Sequence, residues 1–425
     1  MASMKAAHNV DTAERVLLVG VELPRRYRGS SRERMDELSE LAASAGAKVQ
    51  GRFAAARDRP DAATLLGRGQ CERLGEEAAA REAGLLIFDH NLTPTQQRNL
   101  EEATECRVID RTQLILDIFA RHARSHEGQL QVELAQLNYL LPRLRGRGVE
   151  MSRLGGGIGT RGPGETQLET DQRRIRRRLR KVREELEAVR RRRAQQRRLR
   201  QGVPLATVAL VGYTNTGKST LFNALTRAEV RVSSAMFATL DPTVRAVELG
   251  SRRRVLLSDT VGFIRDLPPG LVAAFRATLE EVREAHLILH VSDVSNALHG
   301  EQDEEVGKVL AELGVEETPR LHVFNKIDLL GEERAQLKNS PRSVFVSALD
   351  GQGLEGLRER MDALLPLDRP VRVALRLSSA QGRERALVHQ RGRVLREEFV
   401  EGAVLIEVEL PQSLALQLEP FALRA

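Results

Sequence analysis

The sequence predicts an α/β protein built in four parts, and three observations carry that reading. Short apolar strands alternate with helical stretches through the first 120 residues and again from residue 205. A strand, a glycine-rich loop and a helix follow one another in ATVALVGYTNTGKSTLFNAL. Between these regions lie two leucine-rich seams of seven-residue rhythm, the pattern of paired helices.

Taken in order, RVLLVGVEL (15 to 23) reads as a strand, residues 31 to 45 as a helix and AKVQGRF as a second strand. GLLIFD (84 to 89) reads as a strand, TPTQQRNLEEAT as a helix, CRVID as a short strand and residues 112 to 121 as a helix. Residues 1–125 thus form an N-terminal α/β domain with a parallel-leaning sheet. Asp89 and His90 end its third strand, a place for a site or for plain turn chemistry.

Residues 126–203 change pattern. Leu130, Leu134, Leu137, Leu141 and Leu144 form one seam; Leu168, Ile175, Leu179, Val182, Leu186 and Val189 form the other. Each stripe is too narrow to be buried alone, and the nearest partner is the other, so a long antiparallel helical hairpin is expected, with residues 145–165 as its tip. Thr166 and Glu169 make the T-x-x-E pattern that starts a helix. Pro204 ends the arm. Residues 204–367 form the domain with the phosphate loop. Residues 368–425 form a small α+β domain, in which VRVALRL, RVLREEFV and AVLIEVEL read as strands, the last two joined at Glu401-Gly402.

The net charge of the 425 residues is +7, but residues 172 to 200 alone carry fifteen basic and three acidic side chains, a local +12. The remainder is mildly acidic. Such a concentrated field suits a polyanion, RNA first. Arg173, Arg174, Arg177, Arg178, Arg180 and Lys181, with Arg161 at the tip, are the expected RNA contacts. Cys71 and Cys106, the only cysteines, make neither a disulfide framework nor a zinc site, which fits a reduced cytoplasm. No run approaches the ~18 apolar residues of a membrane span, and MASMKAAHNV has no apolar core of a signal peptide. A cytoplasmic monomer without stable membrane insertion is expected.

Gly212 to Ser219 reads G-x-x-x-x-G-K-S. Backbone N–H groups of Gly212, Tyr213, Thr214, Asn215, Thr216, Gly217, Lys218, Ser219 and Thr220 would surround phosphate oxygens at a helix N-terminus. Lys218 would reach the β- and γ-phosphates, and the Ser219 hydroxyl would ligate Mg2+. In LLSDTVGF, Asp259 would hold Mg2+ through water, Thr260 and Val261 follow, and the Gly262 N–H would sense the γ-phosphate. Before the next strand come Phe237, Ala238, Thr239, Leu240 and Asp241. Thr239 is the preferred switch hydroxyl on Mg2+; Thr243, also in a polar loop, is the runner-up. LHVFNKIDLL places Asn325, Lys326, Ile327 and Asp328 where a carboxylate can accept both N–H groups of a guanine edge. Ser347, Ala348 and Leu349 would cover the guanine O6. GTP and GDP are the expected ligands, and Lys218, Asn215, Thr239 and Gly262 the expected catalytic set. Together these stretches resemble the guanine-reading motifs of the GTPase superfamily.

Phe263 follows Gly262 where Ras-like proteins carry a water-positioning Gln, and Phe cannot orient water. Slow hydrolysis stimulated by a partner is expected. With Asn215 in the loop and an apolar residue after Gly262, the chain resembles potassium-assisted GTPases, which implies K+ between the β- and γ-phosphates as one source of catalysis; loop geometry is the other explanation of Asn215. A second glycine motif, Gly157, Gly159 and Gly162 as GxGxxG, has no strand before it and no crossover unit after it. It reads as the compact tip of the hairpin, where backbone could approach RNA closely, or as a flexible connector.

TLLGRGQ (64 to 70), IFDHNL (87 to 92), VIDRTQLILDIFA (108 to 120), ELAQLNYLLPRLRG (133 to 146), GGGIGTRGPGETQLETD and DTVGFIRDLPPGLVAAFRATLEEV (259 to 282) resemble the HflX family of translational GTPases over about residues 15 to 365. Thr216 stands where relatives often carry Ala. The resemblance implies a G domain joined to an N-terminal domain with a helical hairpin. It also implies binding to the large (50S) ribosomal subunit and its 23S rRNA, with GTP-dependent splitting or rescue of stalled or idle ribosomes under stress. The alternatives are an RNA-binding assembly factor that uses nucleotide as a structural ligand, and an adaptor whose basic helix touches anionic lipid.

Overall fold

The computed structural model describes residues 14–23, 31–144, 167–200, 205–226, 236–237, 243–250, 253–265, 276–331, 337–365, 370–378, 381–400 and 402–423. The α/β class is as expected. The first sheet is four parallel strands in the order β2-β1-β3-β4. Its elements are β1 (Arg15–Glu22), α1 (Ser31–Ser44), β2 (Lys48–Ala56), α2 (Arg68–Ala80), β3 (Leu85–Phe88), α3 (Pro94–Thr104), β4 (Arg107–Asp110) and α4 (Arg111–His122). β1 and β3 are apolar runs buried on both faces, as central parallel strands are. Helix α3 starts where Thr93 accepts from the Gln96 N–H at 3.2 Å and Gln96 returns a bond to the Thr93 N–H, with Pro94 in the first turn. Helix α2 was not anticipated. RGQCERLGEEAAA has only Cys71, Leu74 and Ala78 buried, too sparse a stripe to announce a helix.

Helices α5 (His126–Arg143) and α6 (Gln167–Arg200) pack together. Leu130 clusters with Val182 and Leu186, with Leu134, Leu137 and Val189 alongside. Glu133 meets Arg178, so pairing runs in opposite senses along the two helices. Leu141 and Leu144 are only half-buried, beyond the tight part of the seam. The tip, including Arg161, the glycine motif and Thr166, lies outside the described residues.

The second sheet has the order β10-β9-β8-β5-β7-β6. It comprises β5 (Thr207–Gly212), α7 (Lys218–Thr226), β6 (Thr243–Glu248), β7 (Arg254–Asp259), α8 (Arg276–Arg283), β8 (Leu287–Asp293), α9 (His299–Glu312), β9 (Arg320–Asn325), β10 (Ser343–Phe345) and α10 (Leu354–Leu364). All neighbours are parallel except β6, which runs antiparallel to β7. A third, antiparallel sheet of β11 (Pro370–Ser378), β12 (Arg393–Val400) and β13 (Ala403–Pro411) packs against α11 (Gly382–Arg391) and α12 (Gln412–Gln417). Inward residues of β13 alternate with partly exposed ones, the mark of a sheet with one covered face.

One apolar core spans the first two sheets. Ile115, Phe119 and Val132 belong to it together with Tyr213, Phe237, Phe263 and Ile264. The phosphate loop is therefore packed against the N-terminal layer. No helix among the described residues is long and apolar enough to cross a membrane.

Candidate nucleotide-binding site

The loop between β5 and α7 is shaped by close approaches. A Cβ at Gly217, whose φ is +87°, would lie 2.3 Å from Asn325 Nδ2. At Gly262 a Cβ would lie 2.9 Å from Thr214 Cα and 3.0 Å from Lys218 Nζ. Both positions require glycine because the loop, the β7 end and the β9 end converge there.

Lys218 is buried and donates to the Tyr213 carbonyl at 2.5 Å. Burial pushes its pKa down to about 8, with Asp259 opposing the shift. Ser219 Oγ donates to Asp259 Oδ2 at 2.7 Å, so the two expected Mg2+ groups share one spot. Asp259 is wholly buried. A hydroxyl and a carboxylate in contact fit a hard dication, one directly and one through water. Asn215 is exposed at the loop crest with φ +61°. Thr216 Oγ1 returns to the Tyr213 carbonyl at 3.0 Å. The Thr260 hydroxyl donates to the Leu210 carbonyl at 2.6 Å and so fixes the end of β7 to β5.

At the base end, Asn325 is buried and bridges two loops. Its Nδ2 donates to the Thr216 carbonyl at 2.9 Å, and its Oδ1 accepts from the Ala348 N–H at 3.0 Å. Lys326, at φ +66°, pairs with Asp293 at 2.7 Å. Ser347 is buried and accepts from the Asp350 N–H at 3.1 Å, while Leu349 is exposed. Asp328 is half-buried in the short helical turn Ile327–Leu329.

Several sequence expectations change. Thr243 is not in a loop: it opens β6 opposite Asp259. Phe237 sits in the interdomain core, its ring edge-on to Phe119 at 4.5 Å. Ala238, Thr239, Leu240 and Asp241 lie outside the described residues. Arg178, expected on RNA, bonds Glu133 through Nη2 at 2.6 Å and so ties α6 to α5. Arg173, Arg174, Arg177, Arg180 and Lys181 are exposed. Arg174 also lies 3.8 Å from Asp171, and Lys181 3.8 Å from Glu185.

Other groups were missed. Phe263 is not merely a lost Gln. It is buried in the interdomain core, and its backbone pairs with the phosphate loop: Thr214 N–H donates to Phe263 O at 2.7 Å and Phe263 N–H to Gly212 O at 3.0 Å. Tyr213 Oη donates to Glu37 of α1 at 2.9 Å, and Arg265 lies 3.6 Å from the same carboxylate. Arg111 pairs with Glu37 and, at 3.0 Å, with Asp89; Arg34 reaches Asp89 at 3.2 Å. Burial opposes the charge on Glu37, but Arg111 and Arg265 outweigh it and hold the carboxyl below its usual range. Asp89 is thus an ion-pair partner at the β3 end. A cavity of about 230 Å3 opens beside Thr214 and Asn215, with Glu33, Asp36, Glu37 and Glu40 of α1 on its other wall. None of these contacts has a local sequence signal, since Tyr213 and Glu37 are 176 residues apart.

Known families and proteins match the chain over most of its length. The family described as "GTP-binding GTPase N-terminal" matches residues 32–120, "GTP-binding GTPase Middle Region" residues 122–200, and "50S ribosome-binding GTPase" residues 207–326. GTPase HflX of Caldanaerobacter subterraneus subsp. tengcongensis is 47% identical over 389 residues, 92% of this chain and 90% of that one. GTPase HflX of Escherichia coli K12 is 43% identical over 410 residues, 94% of each chain. A GTP-binding protein from Sulfolobus solfataricus, solved with GDP, is 26% identical with a TM-score of 0.44, covering 82% of this chain and 98% of that one. Identity at this level extends through both the phosphate loop and the N-terminal layer packed on it, and on that ground the chain belongs to the HflX family of GTPases and is a GTP hydrolase.

Proposed function

We propose that the protein couples GTP binding to association with the large ribosomal subunit through rRNA, and that it splits or rescues stalled or idle ribosomes in the cytoplasm. The observation that carries this reading is the exposed basic face of α6, held by a hairpin on the same chain as the nucleotide site. Fifteen basic residues within residues 172 to 200 match a phosphate backbone, and the match of residues 207–326 to a "50S ribosome-binding GTPase" family supports the choice of partner. Lys218 holds the β- and γ-phosphates, Ser219 and Asp259 hold Mg2+, with Thr239 completing the shell, and Asp328 reads guanine. Gly262 reports the γ-phosphate to the segment that follows it. K+ at Asn215 is the candidate for the charge that Phe263 does not supply.

Cosedimentation with whole ribosomes and separated subunits, in GDP, GTP and a non-hydrolysable analogue, tests the reading. Large-subunit binding should appear with GTP or its analogue and be lost in Lys218→Ala. Binding that is indifferent to nucleotide and survives the substitution refutes it.

A further inference from the structure

We propose that His290, Asp303 and His322 form a binding site for a divalent transition-metal ion of the Zn2+ class, separate from the nucleotide's Mg2+ site. His290 on β8 and His322 on β9 are register partners on adjacent parallel strands, so their side chains emerge side by side. Their rings stack with centroids 4.6 Å apart. Asp303 on α9 packs over them: Oδ1 lies 3.1 Å from His290 Nε2 and Oδ2 lies 3.2 Å from His322 Nε2. One ligand atom from each of the three residues falls within a 4.8 Å group. The Ser292 hydroxyl adds a fourth donor, 2.7 Å from His322 Nε2 and in contact with Asp303.

These separations are close to what an ion requires. Ligands at about 2.0–2.2 Å from a tetrahedral Zn2+ stand about 3.4 Å apart. Two imidazoles, a carboxylate and a hydroxyl suit Zn2+, Co2+ or Ni2+ better than Mg2+. His290 is 4% exposed, and its Nε2 has no well-directed hydrogen bond. A buried ring nitrogen aimed at a carboxylate without a good bond is a group that a metal would satisfy. His322 and Asp303 are partly exposed and give the ion its entry. Because the rings are parallel, the His322 ring must tilt to bring both lone pairs onto one ion.

The site has a position of consequence. His322 precedes Asn325 by three residues on β9, and His290 precedes Asp293, the partner of Lys326, by three on β8. An ion here braces two strands and α9 directly beneath the base-reading loop.

Full-length, nucleotide-free protein titrated with Co2+ is the test. One equivalent should give the strong visible bands of four-coordinate Co2+. Asp303→Asn and His322→Ala should each bind more than about 100-fold more weakly, since even outer-shell changes cost 10–100-fold. Both variants should keep GDP affinity, which reports an intact fold. Zn2+ should raise the melting temperature of the GDP-loaded wild type and leave Asp303→Asn unmoved. Absence of the bands, bands that persist in both variants, or thiolate charge-transfer bands that put the ion on a cysteine would each overturn the proposal. A triad held by hydrogen bonds alone gives the first of these results.

Discussion

Tyr213 Oη donates to Glu37 Oε2 at 2.9 Å and accepts the Arg265 N–H at 2.9 Å. One phenol in the phosphate loop thereby joins helix α1 of the N-terminal layer to the residue two places after Phe263. Glu37 is held in turn by Arg111 and Arg265. A displacement of the Gly262–Arg265 stretch must therefore break or repack contacts to the N-terminal sheet.

Tyr213→Phe removes the hydroxyl and leaves a partly buried Arg265 N–H without its partner. The expected cost is about 1–3 kcal/mol of unfolding free energy. Hydrogen exchange should show faster exchange at Arg265 and Ile264 than in the wild type, with the β1–β4 core unchanged.

Arg111 is fully buried between Glu37 and Asp89. Replacing it with Leu leaves two carboxylates with one partner fewer in a dry interior. Urea denaturation should show a loss of about 3–5 kcal/mol, the range for breaking a buried ion pair from one side. Arg34→Leu takes from Asp89 one of its two arginine partners and leaves the Glu37–Arg111 pair in place, so it should cost less.

Lys218 carries a pH prediction. Its pKa in the nucleotide-free protein is pushed down to about 8 by burial. Phosphate binding favours the charged ammonium, so affinity is full below about pH 8 and falls by up to tenfold per pH unit above it. Fluorescent-GDP titrations across that range should show the break. Lys218→Arg, charged throughout, should bind more weakly and without it.

Phe263→Gln restores the Ras-like residue but buries an amide in an apolar interdomain core. The expected result is a loss of about 1–3 kcal/mol in stability and no gain in single-turnover hydrolysis. If K+ at Asn215 supplies the catalytic charge, wild-type hydrolysis will be faster in KCl than in NaCl, and Asn215→Ala will remove the difference. Equal rates in the two salts would exclude that role.

What could be read from sequence follows from range. The strand–loop–helix at Thr207–Thr226 and the α5–α6 seam are periodic and local, so residue spacing alone announces them. Helix α2 was invisible because its buried stripe is three small or medium residues among Glu and Ala. Asn325 was read as part of a base-recognition motif; spacing did not announce that its carboxamide also joins the Thr216 and Ala348 loops. Phe263 registered as a missing Gln, yet its reason for being apolar lies in the N-terminal layer it packs with. Contacts between segments far apart in sequence leave no mark in residue spacing, and the links from Tyr213 and Arg265 to Glu37 that tie the two layers together are such contacts.

Helix α6 has 34 residues. At 1.5 Å per residue it is about 50 Å long. Along the sequence its C-terminal end precedes β5 and the phosphate loop, and its N-terminal end follows the glycine-rich segment. A rigid rod of that length is a mechanical amplifier. A tilt of about 5° at its C-terminal end sweeps the far end through roughly 4 Å. Under the proposed function, an ångström-scale shift at the C-terminal end of α6 would become a displacement of several ångströms at its far end.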